Sequence, residues 1–360
     1  MSNDDKPSGI AADDGFTLEE LQLAARNHGM PLEALRYDLT PVGMHYLLIH
    51  FDIPVADGSS WTVEIGGRVR RPLRLSIDDL RARPAVTLPV TMECAGNGRA
   101  RLHPRPLSQP WLYEAVGTAS WTGTPLRPLL DEAGLEDDAV ELVFEGADHG
   151  TQGGVEQDYE RSLTVAEASR DEVLLAYAID GRPLPPQHGF PVRLIVPGWY
   201  GMTNVKWLRR ITAVREPFVG YQMWAYQLRQ HEEDEGVRIQ RMLPRALMIP
   251  PGFPDFFART RTVDVGAVIL EGRAWSGSGA ISRVDVSSDG GATWQVAALD
   301  EPVGAFAWRR WSFPWTATAG EHELVVRATD ATGRAQALEE PWNHHGLAND
   351  LVQRVHVSVR

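Results

Sequence analysis

The chain contains a single cysteine, Cys94, among its 360 residues. Without a second thiol it cannot form an intrachain disulfide or a multi-cysteine zinc or iron–sulfur site. There is no Cys-x-x-Cys-His motif, so we expect no haem attached covalently to this chain. The apolar runs, such as residues 46–49 and 192–196 (the second interrupted by Arg193), have the length of strands and are too short to span a membrane.

Basic residues are fewer than acidic ones. The chain has 35 lysines and arginines against 48 aspartates and glutamates, and its formal net charge is −13. This excess of acid argues against nucleic-acid binding. The first 20 residues have neither the apolar segment nor the paired arginines of an export signal. We therefore predict a cytoplasmic protein, or a periplasmic one if an export signal has been removed.

The length allows two domains, and the sequence changes character between them. We predict a polar tail over residues 1–15, and a short helix capped by Thr17, within an N-terminal segment of residues 1–40. Over residues 41–245, strands alternate irregularly with helices, which favours an α+β domain over a doubly wound sheet. We predict strands at 61–65, 140–144 and 192–196, a further strand holding His45 and His50, and helices at 76–81, 126–133 and 165–168.

The last part of the chain, residues 246–360, has the pattern of an all-β domain. A proline-rich stretch at residues 244–254 is predicted to be a linker. Beyond it, short strands recur between turns, which predicts an immunoglobulin-like sandwich. The Asp289-Gly-Gly sequence predicts the turn of a hairpin. The predicted strands of this domain are 263–270, 281–287, 294–298, 308–314, 323–330 and 352–359.

The surroundings of Cys94 favour a functional thiol over a core residue. Gly96 and Gly98 allow a tight turn and a close approach of the backbone to a bound group. Arg99 and Arg101 place positive charge nearby, which stabilises the thiolate, the form that attacks electrophiles or binds metal. From the residues alone, both a nucleophile and a metal ligand remain open.

A second set of polar residues lies at residues 145–150, 159, 187–193 and 198–207. Its cationic side chains and glycines suit an anionic cofactor with a phosphate tail, although caps and surface charges explain such a set equally well. On the predicted strand, His45 and His50 face opposite sides and cannot pair on a metal. His344 and His345 are predicted to be surface residues.

These motifs, taken together, resemble the sulfite oxidase family of molybdenum-cofactor enzymes, which includes plant-type nitrate reductases. The resemblance extends from about Thr40 to Arg360. It rests on several motifs in the family's order: Glu93-Cys-Ala-Gly-Asn97, Glu145-Gly-Ala-Asp148, Leu174-Leu-Ala-Tyr177, Gly181-x-Pro-Leu-Pro185, His188-Gly-Phe-Pro-Val-Arg193, Asn204-Val-Lys-Trp-Leu208, Pro341-Trp-Asn343 and Arg354-Val-His-Val357.

The resemblance implies a sulfite-oxidase-type molybdopterin-binding domain followed by a dimerisation domain, and a cofactor of molybdenum and molybdopterin. It implies that Cys94 is the metal ligand. It assigns catalytic or substrate-pocket roles to Tyr159, Arg99 and Trp111. The cofactor-binding residues that it implies are Tyr46, His50, Cys94, Asp148, His188, Arg193, Asn204, Val205 and Lys206.

Two positions depart from the family pattern. Gly98 displaces the arginine that follows Asn97 in the family, which leaves Arg99 in that part of the chain. Sulfite oxidases carry an arginine where this chain has Leu48, so a charged donor to the substrate is missing. The resemblance implies oxygen-atom transfer, with oxidation of sulfite to sulfate as the first expectation. The alternatives are reduction of S-oxides, N-oxides or another small oxyanion, and a non-catalytic cofactor-binding protein. It further implies a separate protein that donates or accepts electrons, and a homodimer formed through the C-terminal domain.

Overall fold

The computed structural model describes residues 15–360, and within them short helices are embedded in a mostly β structure. The predicted tail at residues 1–15 lies, apart from Gly15, outside the described residues. Thr17 caps the first helix, as predicted, and shares a reciprocal capping box with Glu20. The α-helices are α1 (Leu18–Arg26), α2 (Ile77–Arg81), α3 (Leu126–Ala133), α4 (Val165–Ala168) and α5 (Tyr221–Ala225). Short 3-10 helices cover Leu32–Arg36, Val42–Met44, Arg99–Arg101, Pro186–His188 and Gly201–Thr203.

Two sheets form the first half of the chain. The first has the order β2-β1-β10-β5-β6, and the second has the order β3-β4-β7-β8, with β9 paired to β7. Apolar side chains of the first sheet pack against α2, α3 and α4, while the second sheet buries a smaller cluster that includes Cys94. The strands are β1 (Thr62–Gly67), β2 (Leu73–Ser76), β3 (Val86–Glu93), β4 (Val116–Pro125), β5 (Glu141–Gln152), β6 (Val155–Thr164), β7 (Leu174–Ile179), β8 (Arg182–Pro183), β9 (Arg193–Ile195) and β10 (Leu208–Val214).

The second half is a sandwich of two sheets, ordered β13-β16-β20-β19 and β14-β15-β22-β21-β17-β18. A core of alternating apolar residues separates them. Before the sandwich, β11 (Gln227–Leu228) and β12 (Val237–Arg238) form a separate two-stranded sheet. The strands of the sandwich are β13 (Arg245–Met248), β14 (Phe253–Pro254), β15 (Arg261–Val263), β16 (Gly266–Trp275), β17 (Ile281–Ser287), β18 (Gln295–Val296), β19 (Ala298–Leu299), β20 (Arg309–Ala317), β21 (Gly320–Asp330) and β22 (Gln353–Val359). This architecture confirms the predicted fold class, an α+β domain followed by a β-sandwich.

Four local predictions need correction. The predicted strand at 263–270 covers the end of β15 and the first half of β16, which belong to different sheets. The segment from His45 to His50 is a loop, and its one bridge joins Leu47 to His28. The predicted linker contains β13, which is buried in the sandwich because its residues pair with β16. The predicted strand at 294–298 is two short strands in different sheets, β18 and β19, because the chain crosses between the sheets at Ala297. The domain boundary after residue 245 remains a prediction.

Candidate active site

Cys94 directly follows β3 and opens a tight loop, residues 94–99, which we call the thiol loop. Asn97 holds the loop closed, because its backbone N–H donates to the carbonyl of Cys94 and its side-chain oxygen accepts from the N–H of Ala115. Gly98 has a φ of 91°, in the left-handed region that favours glycine. The thiol is free and buried. The loop therefore holds one thiol at a defined place at the end of a central strand.

The thiol lies in the wall of a narrow cavity of about 60 Å³, which we call the inner cavity. The loop at residues 45–50 forms one side of it, and the loops that follow β8 and β9 form much of the rest. Residues far apart in the sequence thus meet around a small, largely enclosed space. The predicted site residues that line it are Tyr46, His50, Cys94, Asp148, Tyr159, His188, Arg193, Asn204 and Lys206.

Two cations line the inner cavity and are held mainly by backbone carbonyls. Lys206 Nζ donates to the carbonyl of Leu48 at 2.8 Å and to that of Gln187 at 3.2 Å. Arg193 donates to the carbonyls of His188 at 3.1 Å and Asn204 at 2.9 Å. Burial lowers the pKa of the Lys206 ammonium and brings that of Arg193 to about 10. Arg193 therefore stays charged at pH 7, while burial works against the charge of Lys206, which a bound anion would restore.

Several buried polar atoms of the inner-cavity residues have no hydrogen-bond partner within residues 15–360. They are His45 Nε2, Asp148 Oδ1 and Arg193 Nε. Burial raises the pKa of Asp148, and the nearby Lys206 partly opposes that rise. Unpaired polar groups are costly inside a protein, so these atoms indicate a polar ligand that would pair with them.

Three histidines of the inner cavity are held neutral at pH 7. Burial lowers the pKa of His45 and of His50 to about 4, and that of His188 to about 2. The rings of His45 and His188 meet edge to face with centroids 5.6 Å apart. A neutral imidazole has one donor and one acceptor nitrogen, so these rings can pair with a polar heterocycle without adding charge.

Tyr159 lies beside His50 in the same cavity, with the two ring centroids 5.0 Å apart. Its hydroxyl donates to the carbonyl of Met202 at 2.8 Å. Burial raises the pKa of Tyr159 well above its ordinary value, so the phenol keeps its proton at neutral pH. His50 Nε2 in turn contacts the hydroxyl of Tyr226 at 3.1 Å. The two tyrosines and His50 form a neutral polar group close to the thiol.

A second cavity, of about 590 Å³, meets the inner one at Cys94, and we call it the outer cavity. Leu48, His50 and Tyr226 also line both cavities. Arg99 is buried in the outer wall, where its Nε donates to the carbonyl of His345 at 2.9 Å and its Nη1 to that of Gln109 at 3.1 Å. The thiol therefore lies between a small cavity lined by Lys206 and Arg193 and a larger one with a guanidinium in its wall.

The outer wall also modifies the thiol itself. Burial raises the pKa of Cys94, while Arg99, the N–H of Gly96 and the indole of Trp111 act in the opposite direction. The buried Trp111 Nε1 has no acceptor with full hydrogen-bond geometry within the described chain. Donors and a cation thus face the sulfur, which suits a thiolate bound to a metal.

The structure brings together most of the predicted site residues. Arg99 and Trp111 line the outer cavity, and all the others except Val205 line the inner one. Val205 lines neither. It is buried in the hydrophobic core of the first sheet, and its carbonyl accepts from Leu194 at 2.8 Å. The side chain of Asn204 is also engaged structurally, because its oxygen accepts from Val196 N–H at 2.7 Å. The roles of all the predicted site residues, these two included, remain predictions.

Four further residues contribute to the site and are not among the predicted site residues: His45, Tyr226, His344 and His345. His344 is buried and His345 partly buried, and both line the outer cavity, so the prediction of surface histidines was wrong. The segment that carries them reaches the thiol loop from the second half of the chain, and no local pattern could indicate that approach. A strand would place His45 and His50 on opposite faces, whereas the loop brings both residues to the wall of one cavity.

The residues present fit a molybdopterin cofactor. Within residues 15–360, no three His, Cys, Asp or Glu side chains come together as a metal site. A metal at Cys94 would therefore take its other ligands from a bound group. The inner cavity offers that group two cations and unpaired polar atoms beside the thiol. No helix in the described chain is long and apolar enough to span a membrane.

Comparisons with known proteins agree with this geometry. Residues 50–222 match the oxidoreductase molybdopterin binding domain, and residues 257–360 match the Mo-co oxidoreductase dimerisation domain. Human mitochondrial sulfite oxidase is 35% identical over 349 residues, covering 89% of this chain and 62% of that protein. Nitrate reductase [NADH] 1 of Oryza sativa subsp. japonica is 33% identical over 354 residues, covering 89% and 38%. The chain thus spans less than two thirds of these relatives.

Among solved structures, the sulfane dehydrogenase SoxCD from Paracoccus pantotrophus has a similar fold. The TM-score is 0.79 at 27% identity, over 92% of this chain and 86% of that one. The chain belongs to the sulfite oxidase family of molybdenum-cofactor oxidoreductases, with a molybdopterin-binding domain and a C-terminal domain of the family's dimerisation type.

Proposed function

We propose that this protein transfers oxygen atoms at a molybdenum–molybdopterin centre, oxidising sulfite to sulfate. The observation that carries the proposal is the position of Cys94, whose thiol lies in the wall common to the inner and outer cavities. A metal held by this thiol would face the cationic inner cavity on one side and Arg99 on the other. When bound, the cofactor supplies the two-electron oxygen-atom chemistry that the side chains themselves lack.

The inner cavity would bind and orient the cofactor. Lys206 and Arg193 would neutralise an anionic phosphate tail, and both are already fixed by backbone carbonyls, so little ordering is needed on binding. His45 and Asp148 would pair their orphaned atoms with polar atoms of the pterin. Because the histidines here are neutral, they add hydrogen bonds without adding to the charge.

The outer cavity would bind the substrate. Arg99 would attract and orient an oxyanion, and its own position is set by two backbone carbonyls. The Trp111 indole N–H offers a further donor close to the sulfur. Tyr159 retains its proton, so its hydroxyl can serve as a donor if it leaves the carbonyl of Met202. Sulfite and water would give sulfate, two protons and two electrons. The electrons would leave to a separate acceptor protein.

Leu48 favours a second candidate, reduction of an S-oxide or N-oxide. Its side chain lies at the junction of the two cavities, where sulfite oxidases carry an arginine. A neutral oxide requires less positive charge than sulfite does. The outer cavity also has room for organic substituents, with Trp224 and Leu107 in its wall. In this reaction the oxygen atom of the oxide would leave as water. Two protons would come from the solvent and two electrons from a separate donor protein.

The C-terminal domain supports a further part of the proposal, that the protein is a homodimer. Its match to the dimerisation domain of the family carries this inference. Equilibrium sedimentation of the full chain tests it, and a monomer at micromolar concentration would refute it.

The first test is to measure molybdenum by elemental analysis and pterin by fluorescence in protein from a host that makes the cofactor. Sulfite-dependent reduction of an artificial acceptor is then compared with dye-driven reduction of S-oxides and N-oxides. We expect molybdenum and sulfite turnover. Turnover of an oxide without sulfite turnover would replace the first reaction by the second, and bound molybdenum without any turnover would indicate a cofactor-binding protein. Protein without molybdenum would refute the central proposal.

Cys94→Ala tests the ligand directly. Removing the only thiol should abolish turnover, while the far-ultraviolet circular dichroism spectrum stays that of the folded wild type. Retained activity would exclude Cys94 as the metal ligand.

A further inference from the structure

The thiol loop is held in place largely by the second half of the chain. Ala348 donates its N–H to the carbonyl of Ala95 at 2.7 Å. The Asn349 side chain donates to the carbonyl of Gly98 at 2.9 Å. Arg99, at the end of the loop, donates to the carbonyl of His345. The segment 345–349 thus fixes the backbone on both sides of the turn, although it lies some 250 residues further along the chain.

A buried carboxylate, Glu93, completes this attachment immediately before Cys94. Its Oε1 accepts from Asn97 Nδ2 and from Arg245 Nη1, both at 2.9 Å. Its Oε2 accepts from Trp275 Nε1, also at 2.9 Å. Asn97 belongs to the thiol loop, whereas Arg245 and Trp275 lie on paired strands of the sandwich, β13 and β16. One carboxylate therefore joins the loop to the sandwich.

Arg245 extends the same connection. Its Nη1 also donates to the carbonyls of Asn349 at 2.6 Å and Asn97 at 3.3 Å. Both Arg245 and Glu93 are 2% exposed, and Glu93 is the ion-pair partner of Arg245 within the described residues. The remaining guanidinium nitrogens, Nε and Nη2, are buried without a partner. Loss of the Glu93 charge would leave the buried Arg245 cation without its ion-pair partner. Arg245 should then shift, and the thiol loop should shift with it, because Arg245 also donates to the carbonyl of Asn97.

We infer that Glu93 is a positioning residue for the Cys94 thiol, acting through Arg245 and Trp275 of the sandwich. This inference rests on the proposed function, because it assigns to Glu93 the orientation of a metal ligand. None of the three residues lines the inner or the outer cavity. Their effect on chemistry must therefore pass through the thiol loop. The sandwich, on this account, has a part in the metal site in addition to any part in dimerisation.

Glu93→Gln is the direct test, because glutamine keeps the size of glutamate but lacks its charge. It also replaces one acceptor by an NH₂ group, which must face either Arg245 or Trp275, and both are donors. Trp275→Phe is the second variant. It removes a single donor to Glu93 and keeps the buried charge pair intact, so it remains informative if Glu93→Gln does not fold.

Glu141→Gln is the matched control. Glu141 is also a buried carboxylate, and it accepts from Arg238 at 3.0 Å, from the Ser162 hydroxyl at 2.8 Å and from the Phe218 N–H at 2.9 Å. It lies at the first residue of β5 and lines neither cavity. This change should cost stability in the same way without moving the thiol.

The readouts are taken on the molybdenum-loaded full chain. They are the thiolate-to-metal charge-transfer absorption, the Mo(V) electron paramagnetic resonance spectrum after partial reduction with dithionite, and kcat with sulfite. We expect Glu93→Gln to alter both spectra and to lower kcat by about 10–100-fold, the usual effect of removing a group that orients a metal ligand. Trp275→Phe should change the spectra in the same direction by less. Glu141→Gln should retain the wild-type spectra and a kcat within about twofold of the wild type.

Loaded Glu93→Gln with wild-type spectra and the kcat of the control would overturn the inference and leave the proposed function intact. Wild-type spectra in Trp275→Phe would do the same if Glu93→Gln failed to fold. Wild-type protein without molybdenum would overturn both the proposed function and this inference. The spectra require no physiological substrate, so absence of sulfite turnover does not affect the test.

Discussion

The three neutral histidines of the inner cavity should make the cofactor-free protein sensitive to acid. His45, His50 and His188 all have a pKa far below the ordinary value for histidine, 6.5, because burial disfavours the charged ring. In the unfolded chain the same rings bind protons near pH 6.5. Their neutral state therefore contributes stability that is fully present above pH 6.5 and is lost as the pH falls towards the folded-state values.

The size of the loss follows from the pKa difference. Between pH 7.5 and 5.5, each histidine that protonates only in the unfolded state costs about 1.4 kcal/mol of stability. The three together give about 4 kcal/mol, a large part of the 5–15 kcal/mol that stabilises a typical protein. The result depends little on the folded-state pKa values, since about 4 and about 2 both lie well below pH 5.5.

Two other groups of the inner cavity titrate near this range, and their effects oppose each other. Burial raises the pKa of Asp148, so protonation of this carboxylate makes the folded protein more stable as the pH falls. Burial lowers the pKa of Lys206, so protonation of its amine costs stability over the same fall. The two form a close pair, and we expect their contributions to cancel largely. The histidines should then dominate the pH dependence.

The assay is urea denaturation of protein from a host that cannot make the cofactor, followed by circular dichroism at pH 7.5, 6.5 and 5.5. His50→Gln keeps a hydrogen-bonding partner for Tyr226 and should reduce the acid-induced loss by about 1.4 kcal/mol. His231→Gln, at an exposed position, is the control and should behave as the wild type. A free energy of unfolding that does not change between pH 7.5 and 5.5 would refute the reasoning.

Two further predictions concern the cavity walls. Leu48→Arg adds a guanidinium at the junction of the two cavities. It should lower the KM for sulfite by about 10–100-fold, the effect of one charged hydrogen bond. An unchanged KM would show that Leu48 does not face the substrate. Gly201→Ala places a Cβ 2.2 Å from the Tyr46 hydroxyl, so Tyr46 must move and molybdenum content should fall about tenfold. Gly43→Ala, with no atom within 4 Å of its added Cβ, is the matched control, and equal metal content in the two variants would contradict this prediction.

The sequence predicted elements well where local signals act alone. Helices α3 and α4 begin and end where predicted, and Thr17 caps α1, because capping and periodicity depend on neighbours in the chain. The loop at residues 45–50 was mispredicted because apolar residues there pack against the site and do not form a ladder. It is held by a bridge to His28 and by Lys206, and both contacts are tertiary.

Within the site, the thiol loop likewise combines features that local sequence predicts with contacts that only the tertiary structure creates. Its glycines and arginine were visible in the sequence, since a tight turn and a nearby charge are local requirements. Its attachment to the sandwich was not, because Glu93 reads as a polar residue at the end of a strand. Arg245, its partner, falls in a stretch whose prolines suggested a linker. Only the pairing of β13 with β16 brings the two together.

The charges around the outer cavity set the terms on which a substrate can bind. Arg99 is a cation in the wall, whereas Glu232 contributes a carboxylate to the lining. His50 and His345, whose pKa values burial lowers to about 4, are neutral at pH 7. A dianion such as sulfite thus meets one guanidinium at the site, against a net charge of −13 for the whole chain. The negative charge of the chain does not repel a neutral oxide. The ratio of sulfite oxidation to oxide reduction therefore measures how far Arg99 compensates for the leucine at position 48.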